Sequence, residues 1–146
     1  MRANPSGLAI MLLLPAAMMT GCSPDQAAES LPAFDSIEEA FDAVDAVLRC
    51  EGNPVGDPIV PMGDGVPLTT EQRLCAEHVQ VGLYPDEESL QQGFELWSDS
   101  GQGEIQLVRG RNWLVVDVTD VATGEPSTWD IDGLAEDLGG EYTVAG

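Results

Sequence analysis

Thiols, imidazoles, carboxylate clusters and guanidinium groups carry most side-chain chemistry, and this chain holds them in uneven numbers. It has three cysteines (Cys22, Cys50, Cys75), one histidine (His78), five arginines, no lysine and 26 acidic residues. A zinc site on Cys50 and Cys75 would need two further ligands, and His78 is the sole imidazole. No C-x-x-C spacing marks a redox pair. Asp117, Asp120, Glu125, Asp130 and Asp132 could give hard oxygen ligands to calcium, but their spacing does not match an EF-hand loop. The competing reading is a solvated acidic loop in which Asp130 caps a helix. Among so many carboxylates close pairs arise by chance, so an acid pair says little about general acid–base catalysis. G-x-S-x-G, H-E-x-x-H, the P-loop and the dinucleotide fingerprint are all missing. No catalytic residue, metal ligand or cofactor is therefore assigned, and His78 reads as a surface histidine. Arg109 and Arg111 flank a turn and suit carboxylate or phosphate, with pairing to neighbouring acids the simpler expectation. Trp129, Arg109 and Arg111 are the candidate contact residues, because aromatic and arginine side chains are enriched at interfaces.

The N-terminus reads as an address. Arg2 precedes an apolar run from Leu8 to Met19. A bilayer-spanning helix needs roughly 20 such residues, so the shorter run fits the hydrophobic region of a signal peptide. Met19-Thr20-Gly21-Cys22 then resembles the lipobox of bacterial lipoproteins. That resemblance implies residues 1–21 as a signal peptide, cleavage before Cys22, acyl chains on that cysteine, and a home on the outer face of the cell membrane. Residues 23–33 are polar and proline-punctuated, a linker with an r.m.s. reach of roughly 17–20 Å. With Cys22 given to lipid, Cys50 and Cys75 remain, and in an oxidising compartment they are expected to bridge.

The elements that position these residues follow from periodicity. Ser36-Ile37-Glu38-Glu39 fits a capping box, and Ile37, Ala40, Phe41, Val44, Val47 and Leu48 recur at helical spacing toward Cys50. Prolines and glycines alternate through 51–70, which reads as loop, either a stapled surface loop or a contact loop presenting Ile59, Val60 and Met62. Glu77 to Leu83 alternates as a half-buried strand, with His78 and Gln80 on the polar side. Asp86 caps a second helix whose apolar face is Leu90, Phe94 and Trp97. Residues 104–109 and 113–118 form two strands joined at Gly110-Arg111-Asn112, the second apolar on both faces and therefore central. A last helix spans Ile131 to Leu138, ended by Gly139.

The expected fold is α+β: residues 34–146 form one domain around a small antiparallel or mixed three-stranded sheet. Helices pack on one face, in the order α-β-α-β-β-α, with one disulfide. The layout of about residues 34–118, with its Gly110-Arg111-Asn112-Trp113 turn, resembles small uncharacterised lipoproteins of actinobacteria. A formal charge of −21 argues against nucleic acid and against adsorption of the domain to anionic lipid. The expected role is a lipid-anchored envelope protein, a non-enzymatic module binding an envelope protein or small ligand. A calcium-binding module and a carboxylate-based hydrolase are the alternatives.

Overall fold

The computed structural model describes residues 30–146. The run read as a signal peptide, the lipobox-like sequence and Cys22 lie outside the described residues.

Helix α1 (Ile37–Leu48) forms where the capping sequence places it. The Ser36 hydroxyl accepts the Glu39 N–H at 3.1 Å, and the Glu39 carboxylate accepts the Asp35 N–H at 2.9 Å. The first bond satisfies a donor that a helix start leaves open, and the second ties the residue before the cap back to the first turn. A two-stranded ribbon follows, β1 (Met62–Gly63) with β2 (Val66–Pro67), inside the segment read as loop. Next come β3 (Glu71–Ala76), β4 (Val79–Leu83), α2 (Glu87–Ser98), β5 (Ile105–Arg109) and β6 (Trp113–Asp117). The short α3 (Thr119–Thr123), α4 (Ile131–Leu138) and β7 (Glu141–Ala145) complete the chain.

The main sheet has five antiparallel strands in the order β3-β4-β6-β5-β7, not the three expected. The helices also lie on both faces rather than one. Helices α1 and α4 pack with Val79, Val81, Leu83, Val108, Trp113 and Val115 on one side. Leu90, Phe94 and Trp97 of α2, with Val121 of α3, pack with Ile105, Leu107, Leu114 and Val116 on the other. Two apolar faces need two covers, which is why a second helical layer is required. Each fully buried Val, Leu or Ile contributes about 1.5–3 kcal/mol relative to exposure.

Strand β4 starts at Val79, and Glu77-His78 forms the turn from β3. Every residue of β4 is buried, so Gln80 does not face solvent as the alternation suggests. Strand β6 is central and buried along its whole length, as its composition implies.

Tyr84, just past β4, inserts against α2 at Gly93. A Cβ on Gly93 would lie 2.6 Å from the Tyr84 ring, so only glycine allows this approach. Burial pushes the Tyr84 phenol up to about 12, with the nearby Trp97 indole N–H acting in the opposite direction. That N–H falls short of hydrogen-bond geometry and has no partner within bonding distance and angle. Between pH 10 and 12 the folded chain keeps the Tyr84 proton while the unfolded chain, near 10, releases it. Stability is therefore full below pH 10 and should fall by about 2–3 kcal/mol toward pH 12. With no lysine to titrate in that window, urea unfolding across it should show the loss, and Tyr84→Phe should remove most of it.

Candidate functional site

Candidate features occupy both ends of the sheet. At the β5–β6 turn, Asn112 grips the incoming chain: Phe34 N–H donates to its Oδ1 at 3.0 Å and its Nδ2 donates to the Phe34 carbonyl at 2.7 Å. The Pro32 carbonyl accepts twice, from the Arg111 N–H and from the Trp113 indole N–H, each at 2.9 Å. The Phe34 ring sits 5.3 Å from the Trp113 ring, tilted by 48°. Glycine is required at 110, because a Cβ there would lie 2.0 Å from Trp113 Nε1. The Gly-Arg-Asn-Trp turn is thus a clamp on residues 32–34, and the last part of the stretch read as linker is held by the fold.

At the opposite end, Cys50 and Cys75 are bonded, with Cα atoms 4.6 Å apart. Closing a loop of this separation contributes about 3–4 kcal/mol on the chain-entropy view. The bridge straps the 51–60 segment beside β3. Gln80 fixes its far end like one rung of a ladder, accepting the Ile59 N–H and donating to the Ile59 carbonyl, both at 2.8 Å. The strap leaves Val55, Ile59 and Val60 exposed.

Asp117, Asp120 and Asp130 accept hydrogen bonds from the fold itself. Buried Asp117 accepts from the Thr119 N–H at 2.9 Å, the Thr119 hydroxyl at 2.6 Å, and the Ser127 hydroxyl. Asp120 accepts the Glu104 N–H, and Asp130 caps α4 through the Gly133 N–H. Among the described residues, no three His, Cys, Asp or Glu side chains converge as a metal site. Asp86, capping α2, has its carboxyl held below the usual range by the Ser89 backbone N–H.

The three proposed contact residues do not form one surface. Arg109 donates to Gln91 Oε1 at 2.6 Å with its guanidinium 5.5 Å from the Phe94 ring, so it meets α2 and not a carboxylate. Arg111 is exposed at the clamp turn. Trp129 is half-buried against the α1–α4 core and lines a small hollow with Val47, Leu48, Thr128 and Asp130. His78, half-buried at the β3–β4 turn, has its Nε2 3.9 Å from the Glu77 carboxylate.

Sequence reading missed a groove of about 550 Å³ between the β1–β2 ribbon and α2. Met62, Gly63, Asp64, Gln92, Glu95, Leu96 and Asp99 line it. Leu96, half exposed, was the available signal, since it stands off the Leu90-Phe94-Trp97 stripe. No family model, no curated protein and no solved structure matches this chain.

Replacing Asn112 by Ala should remove both bonds to Phe34 and destabilise the domain by about 1–3 kcal/mol. The checks are chemical denaturation and loss of amide protection at Phe34. Unchanged protection there would mean that Asn112 is not the grip.

Proposed function

We propose that the chain is an exported lipoprotein, cut before Cys22 and held by acyl chains on the outer face of the cell membrane, where the domain acts as a binding or accessory module. The observation that carries this reading is the Cys50–Cys75 bridge. It uses two of the three thiols and leaves Cys22, within its lipobox-like run, for another chemistry. A structural disulfide also fits an oxidising compartment outside the cytoplasm.

Two further features favour a tethered module. The clamp at Asn112 and Trp113 grips the chain where the linker ends, so a pull on the tether would load the β5–β6 turn. The charge of −21 would hold the domain away from anionic headgroups, and two or more acyl chains would anchor stably without help from the surface.

Intact mass of protein extracted from its native membrane tests this. The expected species is the chain from Cys22 plus acyl groups, gaining two hydrogens on reduction. Cys22→Ser should appear uncleaved or free of lipid. An unmodified mass, or a chain cut elsewhere, would overturn the anchor.

A further inference from the structure

The two edges of the main sheet are treated differently. At β3 the Cys75 carbonyl accepts the Glu51 N–H at 2.8 Å, and the disulfide holds Cys50 against the same strand. The strapped segment also lines a common cleft with Gln72, Arg73 and Leu74. At β7, pairing runs only to β5, and among the described residues no strand covers the outer side. Natural proteins usually blunt an open edge, because its unpaired N–H and C=O groups recruit other strands.

The ladder shows which groups are open. Gly110 N–H donates to the Trp113 carbonyl at 2.9 Å, which makes that pair hydrogen-bonded. Antiparallel pairs alternate. Val108 with Val115 and Gln106 with Asp117 therefore bond across β5–β6, and the backbone of residues 105, 107 and 109 turns toward β7. Their partners Ala145, Thr143 and Glu141 face inward. Tyr142 and Val144 are left with N–H and C=O groups on the open side.

Both side chains are exposed, Tyr142 to 36% with its phenol donating to Gln106 Oε1 at 2.9 Å, and Val144 to 48%. Carboxylates outnumber the one nearby guanidinium, that of Arg109, around them. Burial first, and then the charges of Asp132, Glu104 and Asp117, push the Tyr142 phenol up. Glu141 adds a third exposed carboxylate to those of Asp132 and Glu104, while Arg109, opposite it in register, turns to Gln91 and Phe94 of α2. A second copy laid on this edge would bring like charges together.

We infer that β7 is a docking edge for an extended, basic segment of a partner protein, which adds as a sixth strand. Its backbone bonds to Tyr142 and Val144, its apolar side chains cover those two residues, and its lysine or arginine side chains face Asp132, Glu104 and Glu141. The inference rests on the reading of the domain as a binding module and not on the lipid anchor.

The test is an amide NMR titration of the full chain in detergent with an eight-residue peptide of alternating lysine and valine. Shifts should be largest at residues 141–145, and affinity should fall as salt is raised. Val144→Pro removes one outward N–H, and an edge strand tolerates proline. It should weaken binding by about fivefold to tenfold while the core resonances stay in place. Backbone N-methylation of the peptide should do the same to the unaltered protein, so the test does not depend on one variant folding. Shifts centred on the Met62–Leu96 groove would overturn the β7 site yet keep the module reading. Shifts scattered over the acidic surface, unaffected by Val144→Pro or N-methylation, would overturn the site as well, and so would doubling of mass through β7 without peptide.

Discussion

The structure depends on one strand buried on both of its faces. Strand β6 sends Trp113 and Val115 into the α1–α4 core and Leu114 and Val116 into the α2 core, with none of the four more than 2% exposed. Because β6 pairs with β4 on one side and β5 on the other, both helical layers and every other strand of the sheet take their positions from it. A polar residue on either face would leave an unsatisfied group in a dry interior. Asp117, the exception, lies at the strand's end and is satisfied by Thr119 and Ser127.

The two ends of the sheet solve different problems of chain control. Near the β5–β6 turn, side-chain amide and indole groups imitate backbone and catch residues 32–34. Near the β3–β4 turn, a covalent bond and the Gln80 amide hold down a proline- and glycine-rich strap that has no repeating structure of its own. In both places a primary amide completes the hydrogen bonding of a segment that no neighbouring strand serves. The β3 edge is thus covered at its Cys75 end by the strap, whereas β7 pairs only with β5 and has the exposed carboxylates of Glu104, Asp132 and Glu141 nearby.

Sequence periodicity revealed what local patterning decides. The caps at Ser36, Asp86 and Asp130 and the stop at Gly139 bound helices that extend where the apolar stripes run, and the double-faced apolar content of β6 announced a central strand. What escaped was decided by tertiary context. Strand β3 opens with Glu71, Gln72 and Arg73 and closes with Leu74, Cys75 and Ala76, a sequence without alternation that only an edge position and a bulge near Cys75 make sense of. Strand β7 is short and mostly exposed. Gln80 looked solvent-facing because a strand's polar alternate positions usually are; its burial is compensated by Ile59, far along the chain in an apparent loop. Of the candidate site residues, the cysteine pair was readable by parity. Arg109 and Trp129 were drawn into packing that no spacing rule foretells, and the open edge appears only once strand order is known.

Native-state hydrogen exchange on the purified chain tests this architecture most directly, because it reads both the central strand and the open edge residue by residue. The amides of Leu114, Val115 and Val116 should be among the slowest, exchanging only by global unfolding. Along β7 protection should alternate, with Thr143 and Ala145 protected and Tyr142 and Val144 exchanging far faster. Uniform protection along β7 in a monomer would mean that the edge is already covered, and fast exchange in β6 would remove the strand on which the rest depends.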